Sequence, residues 1–162
     1  MFKFTSTTNS GASLLEVIVG TAIVGVAIFA LVVSVGRSLV VARGNLQLAQ
    51  ATFLLEEGTE ALRVMRDRSW ASLANLSKGT SYYLVYDGIT WRATTTPIKI
   101  DNFFTRTFVL GSVNRDGNDR IAIAGTLDAK TLSASSTVSW PGALGGTSTV
   151  STLIYITNLF NE

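Results

Sequence analysis

The stretch SGASLLEVIVGTAIVGVAIFALVVSVGR, Ser10 to Arg37, sets one carboxylate, Glu16, at the lip of an uninterrupted apolar run. From Val17 to Gly36 no residue is charged. A run of about 20 residues, each rising ~1.5 Å in a helix, covers roughly 30 Å, the thickness of a bilayer's hydrocarbon core. The run therefore predicts a helix able to cross a membrane. One cation, Lys3, precedes it and Arg37 and Arg43 follow it, so flanking charge sets no orientation. A cleaved secretory signal has a basic start, a shorter apolar core and a small-x-small site after it, and here an acid stands at the start. A plain signal anchor explains the run but gives Glu16 no role, because a carboxylate drawn toward hydrocarbon costs free energy.

The words Gly11-Ala12-Ser13-Leu14-Leu15-Glu16, followed at once by the apolar helix, resemble the processing motif of type IV pilins and of the pseudopilins of type II secretion. That motif reads Gly, a variable residue, Ser or Thr, Leu, an aliphatic residue, Glu. Ser10 stands where the family usually has a basic residue, and Ala12 where it often has Phe or Met. The resemblance implies a prepilin peptidase that cuts between Gly11 and Ala12 and methylates the new amino terminus. It divides the chain into a leader (1–11), a membrane-spanning and filament-core helix (12–36), an amphipathic continuation of that helix (37–70) and a β-rich head (71–162). The implied partners are other pilin subunits, the peptidase, the membrane, and an assembly platform with its cytoplasmic ATPase. The implied location is the cytoplasmic membrane as a single-pass precursor, then an extracellular pilus or a periplasmic pseudopilus. The implied role is structural, with no catalysis. Many major pilins carry a Pro within the apolar helix. None is present here, so any melting during assembly falls to Gly25, Gly36 or Gly44.

Electrostatics gives Glu16 a reason to exist. Where helices pack side by side in a low-dielectric filament core, a carboxylate at one helix start can meet the free amine of a neighbour's terminus. An unmatched charge there is heavily penalised, so the pair fixes axial register between subunits. An acid near a helix N-terminus also suits the positive end of the helix dipole.

Composition narrows the function further. The 162 residues suffice for one small domain beside the apolar run. With 13 basic and 11 acidic residues and no Lys/Arg block, no nucleic-acid partner is predicted. There is neither Cys nor His, which removes thiolate chemistry, disulfides, Ser-His catalysis and His-ligated zinc from this chain. No nucleophile elbow or phosphate-cradling loop is present.

Beyond Arg37 the helical spacing continues, with Leu48, Ala51, Leu55, Leu62 and Met65 at intervals of three, four and seven. One helix from about Ser13 to about Arg66, near ~80 Å long, would lay this stripe on a head; two helices broken near Gly44 are the alternative. Trp70 is expected as a packing anchor between helix and sheet. From Lys78 onward Thr, Ser, Val, Ile and aromatic residues read as β. The expected elements are a hairpin (Tyr82 to Tyr86, turn Asp87-Gly88, Ile89 to Thr94), strands Asn102 to Val113 and Thr131 to Trp140, and a last strand Ser148 to Phe160. The fold class is thus α+β: a long N-terminal helix, membrane-spanning in its first half, packed on a small antiparallel sheet of four or five strands, as in pilins.

Two further clusters have chemistry to weigh. Asn114, Asp116 and Asn118 alternate oxygen side chains that could ring a Ca²⁺, as some pseudopilin loops do. Asp119 and Gly125 stand where an EF-hand has its Gly and Glu, and a polar turn uses the same residues. Glu56, Glu57 and Glu60 lie among Arg63, Arg66 and Arg68 at helical spacing, as surface pairs or contacts with adjacent subunits. A function from another class is a membrane-anchored extracellular binding module with an uncleaved signal anchor.

Overall fold

The computed structural model describes residues 10–143 and 145–159, with residues 10–13 described by their backbone alone. Helix α1 spans Ser10–Arg68, and its hydrogen bonding continues through Gly44, so the alternative of two helices is not what forms. Arg66 and Arg68 occupy its last turn, where cations suit the dipole. A one-turn helix, α2 (Ala71–Ala74), follows. The chain divides into two units at Arg43 and Gly44.

The second unit holds an antiparallel sheet of seven strands. They are β1 Ser81–Tyr86, β2 Trp91–Thr94, β3 Lys99–Ile100, β4 Phe104–Arg115, β5 Ile121–Ala122, β6 Thr126–Pro141 and β7 Thr147–Thr157. The spatial order is β2-β1-β4-β6-β7, with the two-residue strands β3 and β5 also paired to β4. Five strands therefore carry the sheet, and the two extra ones are short hairpin ends on β4.

Several expected boundaries move, each for a local reason. Tyr86 pairs with Trp91, so the first hairpin closes through four residues, Asp87 to Thr90, and not through Asp87-Gly88 alone. The Asp87 carboxylate accepts from the backbone N–H groups of Ile89 (3.0 Å) and Thr90 (2.8 Å), and Asp87 N–H donates to the Thr90 carbonyl. These bonds spend Ile89 on the turn. Asp101 and Asn102 adopt positive φ and turn β3 into β4, which begins at Phe104 and not at Asn102. β6 starts five residues before the expected Thr131, at Thr126, because a register shift between Ser112 and Val113 lets β4 take up Thr126 to Asp128 as further partners. β7 ends at Thr157; Phe160 lies outside the described residues.

Burial follows from alternation and helical spacing. In β4, Phe104, Arg106, Phe108 and Leu110 face inward while Thr105, Thr107 and Val109 face out. One cluster gathers Ala61, Leu62, Met65, Trp70 and Leu73 with Tyr82, Phe108, Leu132 and Ile156; a second joins Ala51 and Leu55 to Phe104, Val138 and Trp140. Trp70 is thus an anchor between helix and sheet. Leu48, expected in the stripe, is 46 % exposed, and the buried stripe begins at Ala51. Gly125 is required by close approach: at φ +149°, a Cβ there would sit 2.1 Å from the Arg115 carbonyl oxygen.

Candidate functional site

The first unit presents the feature that most demands an explanation. From Leu14 to Val41 every large apolar side chain of α1 is exposed, up to 72 % at Phe29. Soluble monomers rarely leave so continuous an apolar surface in water. Inside the run, Thr21 Oγ1 is turned onto its own helix and donates toward the carbonyls of Val17 and Ile18, each at 2.9 Å; just past Arg37, Ser38 Oγ donates to the Ser34 carbonyl at 3.0 Å. Hydroxyls satisfied in this way cost little when the helix leaves water. The helix is long and apolar enough to cross a membrane.

Glu16 is exposed on this helix among Leu14, Leu15, Val17 and Ile18, with no other charge between it and Arg37. Gly11 and Ala12 belong to the helical backbone of α1. Residues 1–9 of the leader expected over 1–11 lie outside the described residues. An isolated carboxylate on an otherwise apolar helix can accept from, or pair with, one cationic group brought by another molecule.

In the second unit the helix is tied to the sheet by a residue that the carboxylate cluster did not announce. Arg106, 4 % exposed, donates from Nη1 to the Glu57 carboxylate at 2.7 Å and to the Leu54 carbonyl at 3.0 Å. Its guanidinium also lies over the Trp91 ring, 5.1 Å from the centroid. Glu57 is therefore a helix-to-sheet tie, while Glu60 makes the expected pair with Arg63. The signal for Arg106 was present in the alternation of FTRTF: Phe104 and Phe108 fix the inward face, and an Arg between them must find a partner.

The loop proposed to ring calcium is organised from within. Asn114 lies in β4 and its Nδ2 donates to the Ile123 carbonyl. Asp116 Oδ1 accepts from the backbone N–H groups of Asn118 (2.8 Å) and Arg120 (2.9 Å), the bonding of a polar turn. Beside them the Arg115 guanidinium pairs with Asp128 at 2.7 Å and Asp119 at 3.5 Å, lining an open cleft of about 390 Å³. A fixed cation thus already sits among these carboxylates. The hydrogen bond from Arg115, with further ones from Thr131 and the Lys130 backbone, holds the Asp128 carboxyl down at about 2. The same pairing raises the pKa of Arg115. Among the described residues no three of Asp, Glu, His and Cys are grouped as a metal would need.

The outer face of the sheet is a separate surface. Its positions run Thr105, Thr107, Val109 and Gly111 on β4, Ser133, Ser135, Thr137 and Ser139 on β6, and Thr147, Thr149, Ser151, Leu153 and Tyr155 on β7. None of these is charged, although Lys99 on β3 lies opposite Thr105 and Arg92 on β2 opposite Val85 on the same side, and cross-strand rows such as Thr107, Thr137 and Ser151 align hydroxyls.

Searches against protein-family models, curated proteins and solved structures return no match to this chain.

Proposed function

We propose that this chain is a structural subunit of a type IV pilus-like filament, a major or minor pilin or a pseudopilin. In this reading it enters the cytoplasmic membrane by α1, a prepilin peptidase cuts after Gly11, and Ala12 is methylated. A platform protein and its ATPase then move it into an extracellular pilus or a periplasmic pseudopilus. The subunit itself catalyses nothing. The observation that carries the proposal is the processing-like motif set directly on an α1 whose apolar side chains from Leu14 to Val41 are all exposed. Neighbouring copies of that helix supply the missing cover. Each large side chain buried gains about 1.5–3 kcal/mol relative to water, so a helix bundle in the filament interior is a strongly favourable destination. Within lipid that drive weakens, and close packing plus a matched charge must then select the partner and its register.

Glu16 supplies the charge. Paired with the Ala12 amine of an adjacent copy it is matched; slipped by one turn it is unmatched and costly. The test is Glu16→Ala in cells that make filaments, followed by shearing and immunoblotting of filament and membrane fractions. The proposal expects a processed protein retained in the membrane and lost from filaments. Unchanged incorporation contradicts the role given to Glu16.

The hydroxyl-rich face of β4, β6 and β7 favours one second reading, a membrane-anchored module that presents this face to an extracellular ligand. It expects an intact N-terminus and no co-fractionation with filaments.

A further inference from the structure

We propose that the free edge of β7 is a dimerisation edge, at which two copies of this chain pair their β7 strands antiparallel about a two-fold axis at Thr152. β7 is the terminal strand of the sheet, 11 residues long, and among the described residues it pairs with β6 alone. On its other side no backbone partner occurs among the described residues. Long edges of this kind are normally guarded by Lys, Pro, a bulge or an inward charge. TSTVSTLIYIT has no charge and no Pro, and its pairing with β6 is unbroken from Thr131 and Thr157 to Pro141 and Thr147. The opposite edge is guarded: β2 has four residues, and its Arg92 is paired with Asp87.

The pattern of β7 also identifies what fits it. Odd positions through Tyr155 face solvent and are mostly hydroxyl, while Val150, Ile154 and Ile156 turn toward the two cores. A strand that extends both surfaces must itself be neutral and alternate hydroxyl with aliphatic residues in the same sense. β7 meets that requirement with itself. Directly opposed residues of antiparallel strands project to the same side, so an axis through a residue keeps the apolar side continuous. Thr152 is the midpoint of β7, and an axis there pairs all of it. Val150 then lies opposite the partner's Ile154, and Ser151 opposite the partner's Leu153. The contact is isologous and opposes no like charges. It does not rest on the filament reading: it needs neither cleavage after Gly11 nor Glu16.

The chain has no Cys, so an introduced thiol reports unambiguously. In full-length protein purified in detergent, single variants Thr152→Cys, Ser151→Cys and Leu153→Cys are oxidised and run without reductant. The proposal expects a covalent dimer from Thr152→Cys alone, or from Ser151→Cys mixed with Leu153→Cys. Ser151→Cys by itself gives little, because self-paired positions off the axis are diagonal neighbours about 7–8 Å apart. In parallel, Ser151→Lys with Leu153→Lys, both at solvent-facing positions, keeps the fold by circular dichroism and weakens dimerisation at least ten-fold in sedimentation. A monomeric wild-type chain, equal cross-linking at all three positions, or a double-Lys variant that dimerises like wild type overturns the proposal. Glu16→Ala, expected to dimerise normally, separates failure of this edge from failure of the filament reading.

Discussion

Arg106 and Gly58 are matched across the helix-sheet contact: a Cβ at Gly58 would stand 2.9 Å from Arg106 Cδ. The glycine opens the space through which a long cationic side chain, buried on β4, reaches the carboxylate of Glu57 one residue earlier. Glycine in a helix interior is otherwise costly, by about 1 kcal/mol relative to alanine. Its presence inside the C-terminal part of α1 is explained by what lies against it.

Gly58→Ala is therefore expected to destabilise in spite of its better helix propensity. Arg106 cannot swing away without breaking its bonds to Glu57 and Leu54, so the overpacking cost of about 1–3 kcal/mol exceeds the propensity gain. Urea denaturation of the full chain in detergent, followed by tryptophan fluorescence, measures the sign. A stabilised variant would mean that the sheet yields at this point.

The two ends of the tie are unequal in exposure, 4 % for Arg106 and 49 % for Glu57. Glu57→Ala leaves a buried guanidinium short of a partner and is expected to cost about 1.5–3 kcal/mol. Adding Arg106→Met removes the buried charge and should recover part of that loss, since an apolar replacement of a buried pair is often neutral or better. A double-mutant cycle on the denaturation midpoints checks this. Simple additivity of the two losses would contradict it.

The largest contribution to the acid limb of stability is assigned to Asp128; Asp87, held low first by the Thr90 and Ile89 backbone N–H groups, adds a smaller one. Its carboxyl titrates at about 2 in the folded chain, against an ordinary 3.8. A depressed folded value means that the contribution is fully present above the unfolded pKa and is lost as pH falls through the folded one. Stability should therefore decline between roughly pH 4 and pH 2, and Asp128→Asn should flatten that decline. Denaturation midpoints measured across this range decide the matter; an identical slope in the variant would move the assignment elsewhere.

How much of this could be read in advance depended on how local the cause was. The long helix was legible because its apolar spacing repeats within a turn or two, and the expected end near Arg66 lies close to the observed Arg68. The hairpin was legible in outline, but its loop length was not, because the Asp87 carboxylate captures two backbone N–H groups and takes Ile89 out of the strand. Leu48 carries the helical spacing, yet nothing in that spacing reveals where the sheet ceases to cover it. The Arg106 tie joins positions 49 residues apart, and only the strand alternation hinted at it. At Asp116 the sequence offered both a turn and a ring of oxygens, and what the structure adds is the turn's bonding and the Arg115 cation beside it. The motif around Glu16 was legible as sequence, whereas its role requires a second molecule.

The most direct test of the filament reading is the intact mass and N-terminal peptide sequence of this protein recovered from membranes of cells with an active prepilin peptidase. The account predicts a chain that begins at methylated Ala12. A chain that still begins at Met1 under those conditions would contradict it and favour the anchored module.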